Sequence, residues 1–361
     1  MRLLDRYVLV IFLKVFVIAL LAFGVILVAV DFFGRLGYFF DEGRVEGTFA
    51  EGYSTTRLIA LYYAVYVPFL LQQVLPFVTV SAGLFTVAHM LHGNEVAPVV
   101  SAGTSVRRLL LPVFLAGIGV SFGHIAFQQL LMPTLSQQQL AIKRFFSAEQ
   151  TGVEDPPHMR DGKGTVTRAG WYGFDDRALK GVVVQRPWER GGFEIWTAPR
   201  LEPEGDAWVA PEGVEIQPAG VDSLPRRLPP GARVDLGVTP EDVDALATKR
   251  GTAALSFSQL RGLTDRFPGR RNLRVALHKQ VARPLASFAM LLVGVPLLLA
   301  AGRAYFMGGA LTFGLSMSYY FLDICFTSLG DRGDIPPFLA AYLPLALLLS
   351  LGVARLATVP T

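Results

Sequence analysis

The sequence predicts a membrane α-helical protein with six transmembrane helices and an all-β domain inserted after the third. Three observations carry that expectation. Hydrophobic residues make up 52% of the 361 positions and charged residues only 17%, where soluble domains carry about a quarter charged. Apolar runs near the roughly 20 residues that a bilayer requires recur in both halves of the chain. Between them lies a polar stretch, residues 134–273, rich in Gly, Pro and charge.

The apolar runs are residues 8–33, a span within 58–88, and residues 109–131, 284–300, 305–327 and 338–354. Pro68, Pro76 and Pro296 fall inside them, as membrane helices tolerate where neighbouring groups rescue the freed carbonyl. The first run is too long for a signal-peptide core and no small-residue cleavage site follows it, so it reads as a retained anchor. Three domains follow: residues 1–133, 134–273 and 274–361. The single cysteine, Cys325, permits neither a disulfide framework nor a cysteine metal site. The net charge of +4 is mild, and suits basic membrane-facing ends better than nucleic-acid binding.

In the polar stretch, short strand-like runs recur at 164–168, 181–185, 193–197, 207–209 and 213–217. Turn residues separate them, including Arg190-Gly191-Gly192 and Pro203-Glu204-Gly205-Asp206. Even spacing of short strands predicts a small antiparallel sandwich or roll. Residues 135–148 read as a helical continuation of the third span. Thr239-Pro240-Glu241-Asp242 and Ser256-Phe257-Ser258-Gln259 each have the form of a helix start.

Basic residues in short loops set orientation. With the N-terminus in the cytoplasm, Arg2, Arg6, Lys14, Arg107, Arg108, Arg303 and Arg355 lie inside, against Arg35, Arg44, Arg57 and Arg332 outside. The C-terminus is then cytoplasmic and the β domain external.

No phosphate-binding loop is present; the nearest string, Gly162-Lys163-Gly164-Thr165, lacks the spacing and reads as a turn. Neither H-E-x-x-H nor G-x-S-x-G occurs. His89 and His92 have only a weak metal spacing and read as a solvated or headgroup-facing pair. No catalytic constellation emerges, so any uphill transport draws its energy from another chain.

The loop joining the second and third spans is the most informative. Asn94 is placed to cap a short helix, Glu95 to complement its positive end, Gly103 to end it in a left-handed turn, and Ser105 to cap the next span. The expected result is a short helix along the membrane face, which reads equally as an ordinary capped loop or as a knob that receives force.

This loop, Asn94-Glu95-Val96-Ala97-Pro98-Val99-Val100-Ser101-Ala102-Gly103-Thr104-Ser105, resembles a segment of the LptF/LptG lipopolysaccharide-export permeases. So do Leu4-Asp5-Arg6-Tyr7, closer to the G type, and Leu277-His278-Lys279-Gln280-Val281-Ala282-Arg283-Pro284-Leu285. Gly294-Val295-Pro296-Leu297, Tyr319-Tyr320 and Pro336-Pro337-Phe338-Leu339-Ala340-Ala341-Tyr342-Leu343-Pro344 complete an ordered set across both membrane halves.

The resemblance implies a non-catalytic ABC-transporter subunit of the bacterial inner membrane, its inserted all-β domain a periplasmic jellyroll-like one. It implies a heterodimer with a second such permease, two cytoplasmic ATPase subunits, and a membrane-anchored subunit with its own periplasmic jellyroll. ATP and Mg would bind the ATPases, with no cofactor on this chain. Lipopolysaccharide would be extracted from the membrane and passed to a bridge of jellyrolls. Asn94, Glu95, Val96, Val99, Ala102, Gly103 and Ser105 would then form the ATPase-coupling helix. Two departures from the family pattern stand out: Pro98 lies inside the coupling segment, and Asp31 precedes Arg35 where the family often has a basic residue.

Arg35, Arg57, Arg274, Lys279 and Arg283 are candidate ligands for anionic headgroups, since guanidinium and ammonium groups donate several hydrogen bonds; snorkelling is the competing account. Asp323, an acid within a span, reads as paired with a neighbouring arginine. A membrane-anchored scaffold and an ion-coupled carrier with an outer binding domain are the alternative functions.

Overall fold

The structure, a computed structural model, describes residues 3–37, 55–135, 138, 152–156, 158–160, 164–174, 176–187, 192–218, 224–247, 255–302 and 304–359. Arg2, Arg44, Arg190, Arg303 and most of the expected 135–148 helix lie outside these. The chain divides into two compact units, one built from the apolar helices and one containing the inserted segment up to Leu273.

The first half holds α1 (Leu3–Gly34), α2 (Thr55–His92), the short α3 (Val96–Ser101) and α4 (Val106–Leu130). After the insertion come α5 (Pro240–Ala247), α6 (Phe257–Arg266), α7 (Arg271–Ala301), α8 (Tyr305–Arg332) and α9 (Pro337–Ala357). Five of these, α1, α2, α4, α7 and α9, are long and apolar enough to cross a membrane. The predicted fifth span, α8, forms a helix of 28 residues but falls outside that set. Its Gly, Ser, Thr and Tyr residues and Asp323 dilute the apolar run.

The second half of α7 is the hub of the helical unit. A β-carbon at Gly117 of α4 would lie 2.5 Å from Leu291 Cδ2, and one at Gly83 of α2 would also meet Leu291. Gly308 of α8 packs on Leu298 and Gly352 of α9 on Leu292, while Gly294 of α7 faces Thr312 of α8. Small residues let backbones approach closely, which is how helices pack where water supplies no driving force. Leu291 and Val295 are fully buried.

The inserted segment forms an antiparallel sheet with ten strands among the described residues. They are β1 (Gly152–Glu154), β2 (Met159–Arg160), β3 (Val166–Arg168), β4 (Trp171–Gly173) and β5 (Leu179–Pro187). Then follow β6 (Phe193–Glu204), β7 (Ala207–Ala210), β8 (Val214–Gln217), β9 (Arg226–Leu228) and β10 (Ala232–Val234). The central path is β1-β4-β5-β6-β7-β10, with β2 on β3, β3 on β5, β8 on β6 and β9 on β8. The long β6 serves two branches: Ile195–Thr197 pair with β8 and Glu202–Glu204 with β7. Glu204 faces Ala207 across the tight turn of Gly205 and Asp206, where Gly205 takes φ +63°, a conformation glycine adopts without strain. Trp208, Tyr172 and Leu201 lie in the core of this unit, and Trp208 Nε1 donates to the Val238 carbonyl at 2.8 Å.

The two expected helix starts form. The Thr239 and Asp242 side chains bond each other's backbone N–H at 3.3 and 3.1 Å at the head of α5. Ser256 and Gln259 make a full capping box on α6. Asp242 also holds Arg266 at 2.7 Å, tying α5 to α6.

Candidate functional site

The connection between α2 and α4 is built by four local devices. Asn94 takes φ +50°, so it ends α2 in a left-handed turn, and Glu95 occupies the N-cap position of α3 without a side-chain cap bond. This corrects the expectation that Asn94 caps the short helix; a short polar side chain tolerates the left-handed region that the turn demands. Pro98 is the third residue of α3, within the first turn, where a missing N–H costs nothing. The helix accordingly starts at Val96 in spite of it. Gly103 leaves α3 at φ +81°, and Ser105 Oγ accepts the Arg108 N–H at the head of α4.

The short helix has two faces. Val96 and Val99, three apart, pack on the buried core of the helical unit. Ala97, Pro98, Val100, Ser101, Ala102 and Gly103 are exposed. Val96 and Val99 therefore anchor the knob, and a partner would meet the small residues between and after them.

Three longer contacts brace the two ends of this connection. The Tyr7 hydroxyl of α1 donates to Glu95 Oε1 at 2.9 Å. Arg108 at the head of α4 pairs with Asp5 of α1 at 3.1 Å. Arg107 donates to the carbonyls of Ala357 and Val359 at 2.8 and 3.1 Å, capping the end of α9. Glu95 thus ties the start of α3 to α1, while Arg108 and Arg107 tie the head of α4 to α1 and to the end of α9. The motif Leu4-Asp5-Arg6-Tyr7 was visible in the sequence, but its two bonds span 88 and 103 positions, and no local pattern announces them.

The candidate basic residues separate into two groups. Lys279 is buried between α7 and α8, its Nζ 2.8 Å from Asp323 Oδ2, and also donates to Thr327 Oγ1. A committed, buried ammonium cannot serve an exposed headgroup, so Lys279 leaves the set of candidates. Asp323 is paired, as expected, but with this lysine and not with an arginine. Arg35 is partly committed: its Nε donates to Asp31 Oδ1 at 2.9 Å, and it stacks over the Tyr66 ring at 5.3 Å. Tyr63 and Tyr66 also donate to Asp31, at 3.0 and 3.3 Å, so the acid that seemed out of place knits α1 to α2. Arg57, Arg274 and Arg283 are exposed, and the last two make no side-chain hydrogen bond or ion pair among the described residues.

These features define a multi-pass membrane protein: a helical unit with a rigid knob on one connection, an inserted β unit, and charged groups paired off inside the helices. Residues 6–358 match the model of the lipopolysaccharide export system permease LptF/LptG family, and the chain belongs to that family. It is a non-catalytic permease component of lipopolysaccharide export in the bacterial inner membrane. No curated protein matches it.

Proposed function

We propose that this chain is one half of the membrane part of an ABC transporter that lifts lipopolysaccharide out of the inner membrane and hands it to a periplasmic jellyroll bridge. All six long helices, α8 included, cross the membrane, with both termini in the cytoplasm. The β unit stands in the periplasm as a jellyroll. The partners are a second LptF/LptG-type permease, two ATPase subunits that hold ATP and Mg, and a membrane-anchored jellyroll subunit. The Leu4-Asp5-Arg6-Tyr7 opening favours the G type for this chain.

One observation carries this reading: the α2–α4 connection is a stiff, doubly anchored knob with an exposed face of small residues. A connection that only joins two helices needs no such bracing, whereas a surface that takes a push does. The work is large, because each acyl methylene drawn out of hydrocarbon is worth about 0.8 kcal/mol. The paired charges argue against an ion-coupled carrier, which needs ionisable groups free to change charge.

Glu95 is the residue to test. Purified with candidate ATPase subunits, the wild-type chain is expected to co-elute with them. Glu95→Lys is expected to lose that association while keeping its helical circular dichroism. Retained association together with retained ATP-driven export would remove the coupling role.

A further inference from the structure

The contact between α4 and α7 changes character along its length. Near Gly117 it is close-packed against Leu291 and Phe288. Two turns further along α4 it becomes polar. His124 and Gln128, one turn apart, are each 4% exposed, and Ser287 of α7 is fully buried. Both ring nitrogens of His124, Gln128 Oε1 and Ser287 Oγ have no hydrogen-bond partner among the described residues.

These atoms belong to one place. Gly117 faces Leu291, and Gln129 Nε2 donates to Gln280 Oε1 at 3.2 Å. The helices are therefore antiparallel neighbours, and that register sets His124 and Gln128 against the turns of α7 from Gln280 to Ser287. Four orphaned polar atoms in one seam are far outside what folded proteins tolerate, since each costs about 1–3 kcal/mol.

The chemistry of the set selects its ligand. A neutral imidazole offers one donor and one acceptor, the serine hydroxyl donates and accepts, and Gln128 Oε1 accepts. A metal ion would need acceptors alone. An anion would need donors alone. Water, which donates and accepts equally, fits a mixed set and typically takes about three partners when buried.

We propose that the α4–α7 seam at His124, Gln128 and Ser287 is a water-binding site, in which buried water bridges the two helices. Hydrogen bonds through water exchange at little cost, so this stretch of the contact is compliant, while the stretch at Gly117 and Leu291 is rigid. The site does not depend on the coupling role of α3.

Radiolytic hydroxyl-radical footprinting of the full chain in detergent tests this, because radicals form from the water held at the site. After correction for intrinsic reactivity and exposure, His124 is expected to be oxidised several-fold faster than Phe12 and Met90, which are buried in the apolar core. A second arm is thermal. In a wet seam, His124→Leu and Ser287→Ala each strand the water and the remaining partners, and lower the melting temperature. In a dry seam, each removes an orphan and raises it. Oxidation of His124 no faster than that of the apolar pair, or a rise in melting temperature with both variants, overturns the proposal.

Discussion

Lys279 Nζ lies 2.8 Å from Asp323 Oδ2, with both side chains almost wholly enclosed between α7 and α8. The Lys279 ammonium also donates to the Asp323 backbone carbonyl at 3.1 Å and to Thr327, so its three protons are all placed. The pair brings no net charge into the helical unit, which is the cheapest way to keep ionic groups there.

Removing one partner strands the other. Lys279→Met is expected to destabilise the chain by about 3–5 kcal/mol, whereas Lys279→Met with Asp323→Leu recovers most of that loss. Thermal unfolding in detergent measures both. If the two changes cost as much together as the sum of each alone, the pair carries no mutual stabilisation.

Gly117 is the point where α4 touches the hub of the bundle. A β-carbon there meets Leu291 Cδ2 at 2.5 Å, so Gly117→Val is expected to cost about 1–3 kcal/mol through overpacking. Leu291→Ala in the same chain opens space for the valine. The double variant should therefore be more stable than the two single costs predict, and strict additivity would contradict the packing described.

In the β unit, Tyr172 donates to Asp244 at 2.6 Å. Its hydroxyl is pushed above the ordinary value of 10.0, first by burial and then by that bond to the carboxylate. The folded state holds the proton after the unfolded state has lost it. This contribution to stability is complete below the ordinary value and is lost as pH rises above it. Denaturant unfolding followed by tryptophan fluorescence is expected to show falling stability above about pH 10, and Tyr172→Phe to flatten that fall. At neutral pH the variant loses about 1 kcal/mol, the worth of the bond. An unchanged alkaline slope in Tyr172→Phe would assign it to other groups.

Arg57 and Arg274 are exposed, unlike Lys279. Arg57→Glu and Arg274→Glu are expected to weaken photo-crosslinking of the reconstituted complex to lipopolysaccharide, because each replaces an attraction for phosphate by a repulsion. Full crosslinking in both variants would clear them of headgroup contact.

Much of the fold is legible where physics is local. The apolar runs marked α1, α2, α4, α7 and α9, and the capping residues Thr239 and Ser256 marked α5 and α6. Strand β8 alternates Val214 and Ile216 inward with Glu215 and Gln217 outward, within one of the strand-like runs that turn residues set apart. Strands β1, β2, β4, β9 and β10 have two or three residues each, too few to show a period; pairing with longer neighbours makes them strands. The site was legible in part. Gly103 and Ser105 act through their own backbone, so their positions gave their roles. Lys279 did not, because its partner lies 44 positions away, and Asn94 looked like a cap because its preference for caps and for left-handed turns is the same in sequence.

We propose that the α3 knob lies in the cytoplasm and the β unit in the periplasm, and a sidedness measurement decides this. In a chain with Cys325 replaced, Glu215→Cys on β8 and Ser101→Cys on α3 place single thiols at exposed positions. A membrane-impermeant maleimide added to spheroplasts is predicted to label the first at once and the second only after the membrane is opened. Labelling of Ser101→Cys from outside, with Glu215→Cys protected until permeabilisation, would contradict the account.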